Sequence, residues 1–410
     1  MTNGQSCSET DPLGRIHIEF NEMQLPTKIT NPAGGEYLLS FNWEARSLSE
    51  ADPNGNVRSY VHDADNRVTQ SIDPLGNTIN YEYDAAGNMT RVIDKRGNAT
   101  DITYDALNRP TSWTDPSGAV SQTVYDAKAR TLQLIDPTGA TVSFEYDKLG
   151  RTTMQTDALG GETTWVYDPV GNVTSTTDQI NRTTTATYDA LNRRLTTTDP
   201  ISGTTTFDFD AVGNVVSVTD PESNITLFEY DDQDRIISVT DALGNVATTD
   251  YDAVGNVTQM IDRNGRIRTF GYDVLNRVTS ENWLLGTTAV NTSTFSYDPV
   301  GNVLSGADNF SSYAFTYDAL NRQLTADNFG TPNLPHIVLT NTFDEVGNRT
   351  SVSDNLGVTI SSSYDIRNLL SERQWSGGGI DDASMRYSYD SRGLQTQVQR
   401  FGSLDTSALV

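Results

Sequence analysis

"YDAVGNV" at residues 251–257 has near copies all along the chain: "YDPVGNV" at 167–173, "FDAVGNV" at 209–215, "YDPVGNV" at 297–303 and "FDEVGNR" at 343–349. The Asp of this phrase recurs at Asp63, Asp84, Asp105, Asp126, Asp147, Asp168, Asp189, Asp210, Asp231, Asp252 and Asp273, each 21 residues after the last. A second series lies between them at Asp73, Asp94, Asp115, Asp136, Asp157, Asp178, Asp199, Asp220, Asp241 and Asp262, written mostly TDPxG or IDxxG. The repeat thus divides into steps of ten and eleven residues, and echoes at Asp11, Asn21, Asn31, Asn42 and Asp52 carry it almost to the start. A fixed short period of this kind is the signature of a repeat architecture.

Each Asp opens a turn. In Asp73-Pro74-Leu75-Gly76 the carboxylate accepts from backbone N–H groups ahead of it, Pro presets φ at the next position, and Gly takes the left-handed conformation that closes the turn. Asp252-Ala253-Val254-Gly255 follows the same logic without proline, and in Asp105-Ala106-Leu107-Asn108 the left-handed place falls to Asn. A type I turn followed by such a residue makes a hairpin loop with a bulge. Positive φ is therefore expected at Gly171, Gly255, Asn108 and Asn192.

Between turns the residues alternate. Ile79, Tyr81 and Tyr83 share one face of 78–83, Val142, Phe144 and Tyr146 share one face of 141–146, and the opposite faces carry Thr, Asn, Ser and Glu. These are half-buried strands of about six residues, rich in the Thr, Val and Tyr that suit a pleated surface. No segment has the period of an ordinary helix. The expected fold is all-β, a repeat array of antiparallel hairpins that must curl into a spiral shell or tube, since some 38 strands about 4.8 Å apart are too many for a flat sheet.

A longer rhythm overlies the repeat. Gly-Asn closes the turns at Gly87, Gly171, Gly213, Gly255, Gly301 and Gly347, whereas Asn-Arg or a relative ending in Arg closes those at Arg67, Arg109, Arg151, Arg193, Arg235, Arg277 and Arg322. The unit is then a pair of 42 residues, lengthening to 46 from Asp252 through Asp298, Asp344 and Asp390. The added residues fall around 283–293, 329–337 and 375–383, where longer loops are expected, with Trp283, Phe329, His336 and Trp375 as candidates for contact with a partner. The array accordingly divides into a regular part, 1–273, and a continuous part with longer loops, 274–410.

Composition agrees with a thin, one-sided core. Apolar residues make up only 36% and mean hydropathy is −0.48, yet 18 Tyr keep the chain out of the disordered class. The net charge of −26, from 54 acidic and 28 basic side chains, argues against nucleic acid as a partner. No stretch of eighteen apolar residues provides for membrane insertion as a helix, and the start MTNGQSCSET lacks the basic and apolar regions of a signal peptide. Cys7, the single cysteine, forms no internal disulfide.

The Tyr-Asp-x-x-Gly-Asn/Arg phrase, separated by Thr-Asp-Pro-x-Gly turns at this spacing, resembles the YD repeat of the RHS family, and the resemblance covers essentially the whole chain. It implies a large β-shell of spiralling hairpins, as in bacterial polymorphic toxins, the B and C components of insecticidal toxin complexes, and the teneurin adhesion proteins. It also implies a secreted or cell-surface location. No DPxGL-type sequence stands near the end and no effector follows Val410, so the expectation is a segment of such a shell, or a short family member, rather than a complete toxin.

The function expected is a non-enzymatic scaffold that encloses or displays a protein partner or polypeptide. The alternative is an extracellular adhesion or filament-forming protein that self-associates. A carbohydrate partner would use the strand tyrosines, but Tyr83, Tyr146 and Tyr230 fall on the apolar face and are expected to pack there. Catalysis needs one arrangement, whereas Asp and Tyr recur at every turn. No catalytic, cofactor-binding or metal-ligating residue is assigned: His17, His62 and His336 have no partner at metal-ligand spacing, Cys7 has no histidine signature, and no Walker loop, GxSxG or HExxH occurs. Stacked Asp carboxylates leave Ca²⁺ as the single ion to consider, without either an EF-hand or a glycine-aspartate nonapeptide pattern.

Overall fold

The computed structural model describes residues 8–10, 16–44, 46–328, 331, 334–379 and 381–402. They form 37 strands and no helix. A six-residue strand such as Glu162–Tyr167, a five-residue turn, a five-residue strand such as Val173–Thr177 and a second five-residue turn make up one repeat.

The chain divides into two compact units. The first holds Met1–Val120, Tyr272–Ser280 and Thr292–Val410, and the second holds Ser121–Gly271 and Glu281–Asn291. Within each unit, sequential strands pair antiparallel. In the second, Met154↔Thr164, Trp165↔Thr176 and Ser175↔Thr185 are successive rungs.

The turns are those the sequence predicts. The Asp168 N–H donates to the Asn172 carbonyl at 2.9 Å and the Gly171 N–H to the Asp168 carbonyl at 3.2 Å. Gly171 (φ 108°), Gly255 (97°), Asn108 (59°) and Asn192 (62°) are all left-handed. Asn replaces Asp in the early turns without changing them: Asn21 Oδ1 accepts from the N–H groups of Met23 and Leu25, and Asn31 Oδ1 from those of Ala33 and Gly35. Asp11 and Cys7 lie outside the described residues.

Turns of the tyrosine-aspartate series carry one further irregularity. Val166 pairs with Ser175 but Tyr167 with Val173, so Thr174 is an extra residue whose hydroxyl donates to the Val166 carbonyl at 3.3 Å. This bulge recurs beside each such turn, for example at Thr187/Tyr188 and Glu229/Tyr230. It increases the local twist on that edge of the ladder and not on the other.

The core is one layer thin. On Ile225–Tyr230, Thr226, Phe228 and Tyr230 are half-buried while Ile225, Leu227 and Glu229 are exposed. Ile102 and Phe401 are the only buried apolar side chains among the described residues. Stability must therefore come from each hairpin's contact with its neighbours, as in other repeat arrays.

The expected longer loops are largely strand. The first insertion extends a hairpin, Val278–Leu285 with Thr288–Tyr297, around a tight turn at Gly286 (φ 62°), because Trp283, Leu285, Thr288 and Val290 continue a strand pattern. Trp283 is thus a strand residue, with the Arg268 guanidinium 5.5 Å from its ring. Trp375 likewise lies in Leu370–Ser376, paired with Ile360 and Ala383. Residues 328, 331 and 334–337 belong to no strand, and Phe329 lies outside the described residues.

Candidate functional site

Where Arg or Asn closes a turn, both oxygens of its carboxylate are engaged. Asp189 Oδ1 accepts the N–H groups of Leu191 and Arg193, and Oδ2 accepts Arg193 Nε at 2.7 Å. In a Gly-Asn turn the amide does the same service: Asn172 Nδ2 donates to Asp168 Oδ2 at 2.8 Å. The backbone N–H of Arg193 leads in holding the Asp189 carboxyl below its ordinary value; partial burial opposes this and the guanidinium adds to it.

The side chain that closes each turn also reaches the next repeat. Asn172 Nδ2 donates to Asn192 Oδ1 at 2.9 Å, and Arg193 Nη1 donates to the Asp210 carbonyl at 3.0 Å with its guanidinium 4.7 Å from the Phe209 ring. The two kinds of link alternate, which is the physical content of the 42-residue pair. Arg130 departs from the alternation: it closes the turn at Asp126, where Gly-Asn is due, and reaches the Asp147 carbonyl as the others do. At Asp365 the closing residue is Leu369, and Arg367 makes the reach to the Asp390 carbonyl from two positions earlier.

Tyrosine binds the array in the other direction. Tyr83, Tyr146 and Tyr230 donate from their hydroxyls to the carbonyls of Val68, Thr131 and Val215, each 15 residues earlier. Arg67 covers the ring of Tyr83 and Arg130 that of Tyr146. The strand tyrosines are structural fasteners.

One place in the first unit brings distant turns together. The amide of Asn54, in the turn 52–56, donates to Asp298 Oδ2 at 2.9 Å across 244 residues of sequence. The next turn on that edge, 73–77, faces the turn at Asp318: Pro74 lines a cleft of about 290 Å³ with Tyr37, Leu39, Arg58 and Leu320. The third, 94–98, inserts Arg96, which donates to the Asp365 carbonyl at 2.7 Å and to Asn368 Oδ1, with Asp344 Oδ2 at 3.9 Å. The neighbouring Lys95 turns back to the buried carboxylate of Asp73. Burial pushes the Asp73 carboxyl up, and Lys95, Asn77 and the Asn77 N–H bring it below its ordinary value. This seam joins the Asp-Pro edge of one stretch to the Tyr-Asp edge of another. Arg96 Nε is buried there without a partner.

Ladder, fastened tyrosines and turn chemistry coincide with a known repeat. Residues 48–78, 62–99, 104–141, 167–206, 209–246 and 251–282 each match the RHS Repeat family. The chain belongs to that family.

The RHS repeats here also share their fold with solved toxin structures. A crystal structure of TcdB2-TccC3 without its hypervariable C-terminal region superposes with a TM-score of 0.70 at 15% identity, covering 98% of this chain and 24% of that one. The Tc holotoxin pore of Photorhabdus luminescens gives 0.59 at 15%, covering 94% and 23%. A third, TcdB2-TccC3-TEV, gives 0.59 at 14%, covering 95% and 23%. This RHS array thus spans about a quarter of the chains it matches. No curated protein sequence matches it.

The histidines are dispersed through the array. His17 is 3.9 Å from Glu19, His62 occupies a tyrosine slot opposite Val68 with Nδ1 buried and unpartnered, and His336 Nε2 is 2.8 Å from Asp327 Oδ1. Among the described residues no cluster of three or more His, Cys, Asp or Glu is placed to hold a metal, and no helix is long and apolar enough to cross a membrane. Sequence reasoning missed the seam, although one signal was present: Lys95-Arg96 stands where the other turns of its series carry uncharged residues, apart from Glu222 and Arg263.

Proposed function

We propose that this RHS array is a non-enzymatic wall segment of a β-shell that encloses or displays a polypeptide partner, and that it acts outside the cell. The seam in the first unit carries this reading. An array whose Asp-Pro edge meets its own Tyr-Asp edge after 244 residues stacks coil on coil, and stacked coils make a wall. The likeness of fold to TcdB2-TccC3 supports it. The absence of catalysis rests on the use of the recurrent Asp and Tyr side chains as turn closers and fasteners at every repeat, which leaves them no single reacting arrangement. The alternative, an adhesion or filament protein, draws on the exposed turn tips of the second unit, such as Leu159 and Val170.

Electron microscopy of the purified protein, together with protease digestion of a version carrying an unstructured polypeptide fused to its C-terminus, tests the proposal. Hollow particles and a protected fusion are the expected outcome. Solid rods with a fusion cut as fast as free peptide would remove the enclosing role.

A further inference from the structure

The second unit carries turn edges of the same two kinds, and their tips are exposed. In the seam the residues two places after the turn Asp are less exposed: Leu75 stands at 48%, and Val300 and Leu320 are half-buried. The same turn positions in the second unit project Leu159, Ile201 and Leu243 on the Asp-Pro edge, at 97%, 89% and 88% exposure. On the Tyr-Asp edge they project Val170, Leu191 and Val212, at 73%, 70% and 76%.

Nothing in the turn itself requires an aliphatic residue there, since the position accepts Ser117, Thr138, Glu222 and Asn264 in other turns of the same series. Scattered single aliphatics on a surface are ordinary. These are not scattered: successive turns on one edge are two strands apart, about 10 Å, so Leu159, Ile180 and Ile201 form one apolar run on the Asp-Pro edge, ended by Glu222, and Leu149, Val170, Leu191 and Val212 form another on the Tyr-Asp edge, ended by Gln233.

We infer that the two edges of the second unit dock a second copy of this chain, the Asp-Pro edge of one molecule on the Tyr-Asp edge of the next. The occupant follows from continuity with the seam, where these two edges, with the same turn geometry and spacing, already pack on each other inside one molecule. The contact joins unlike surfaces, so it leaves a free edge at each end and propagates into a stack instead of closing as a two-fold dimer. The net charge of −26 opposes it, and added salt weakens that repulsion without weakening apolar burial. The inference does not depend on the enclosing role proposed above, because it concerns outer edges and not what the wall surrounds.

Sedimentation velocity on the intact chain tests it, at protein concentrations up to about 100 μM, where contacts of micromolar strength are nearly saturated. The expected result is mass growing beyond the monomer's 44.9 kDa, and growing further from about 0.05 to 0.5 M salt. The double variants Ile201→Glu with Leu243→Glu, and Leu191→Glu with Val212→Glu, change only exposed tips and should keep the parent's melting temperature. Each alone should remain monomeric. Mixed, they should form a one-to-one dimer and nothing larger, since one supplies an intact Asp-Pro edge and the other an intact Tyr-Asp edge. A wild-type chain that stays monomeric in high salt overturns the inference; so do variants that associate like the parent, or a mixture that gives no heterodimer.

Discussion

Asn54 and Asp298, 244 residues apart, share a 2.9 Å hydrogen bond from the amide to Oδ2. Burial raises the Asp298 carboxyl, but Asn54, Asn302 and two backbone N–H groups together bring it below its ordinary value. Replacing Asn54 by Ala removes one donor and should cost about 1 kcal/mol. Asn54→Asp instead places a second carboxylate against the first and should cost more, most of all at low salt. Denaturant midpoints of the two variants at low and high salt check this; an Asp variant as stable as the Ala variant would mean the seam does not hold these turns together.

Arg193 and Arg182 form a comparison built into one unit. Both clasp the Asp four residues earlier, but only Arg193 goes on to the Asp210 carbonyl and the Phe209 ring, while Arg182 is 63% exposed. Arg193→Lys loses the forked geometry and the stacking and should cost about 1–2 kcal/mol. Arg182→Lys should fall within about 0.5 kcal/mol of the parent. Thermal melts that rank them the other way would separate the clasp from the link between repeats as the source of stability.

Gly171 adopts φ 108°, and a Cβ added to it would touch nothing within 4 Å. The cost of Gly171→Ala is therefore conformational, about 1 kcal/mol, and Gly171→Asn should cost less because Asn tolerates the left-handed region. Gly203 presents the opposite case: a Cβ there would lie 2.7 Å from Asp199 Oδ2, so its Ala variant should be destabilised by crowding. Calorimetry of all three variants distinguishes the two causes.

Acid should unfold the array steeply. In Asp231 the Arg235 side chain leads in lowering the carboxyl, in Asp189 the backbone N–H of Arg193 does, and in Asp168 burial pushes up before Asn172 prevails. A carboxyl depressed in the folded state adds stability that is complete above its unfolded value, about pH 4, and disappears as pH falls through the lowered folded value. Melting temperatures should be flat from pH 7 to about 5 and drop sharply below about 4. A decline centred near pH 6 would implicate histidine instead.

Deletions expose the difference between the two links. Removing residues 189–209 sets Asn172 beside Gly213, which has no side chain to receive its amide, whereas removing 210–230 leaves Arg193 on Phe209 with the Asp231 carbonyl in reach. Consecutive Arg-closed turns already occur at Arg130 and Arg151. The first deletion should be the less stable, and removal of the whole pair 168–209 should leave a folded, shorter array. Urea midpoints of the three chains measure this, and equal stability of the two short deletions would refute the alternation as the structural unit.

Period, turn class, the left-handed positions at Gly171 and Asn192 and the alternation of Thr226, Phe228 and Tyr230 were all legible in the sequence. Each is settled within five residues or between adjacent strands, where an Asp carboxylate, a missing Cβ or a pleat leaves one outcome. The extension of 278–297 as strand was legible too, in the alternation around Trp283, but counting inserted residues directed attention to a loop. The partners of Asn54 and Arg96 were not legible. They depend on twist and curvature accumulated over more than 240 residues, a small rotation per repeat whose sum no single repeat encodes. The sequence alone determined the repeat and its local bonds; the tertiary structure decided where the array meets itself, because only the summed curvature selects which turns come face to face.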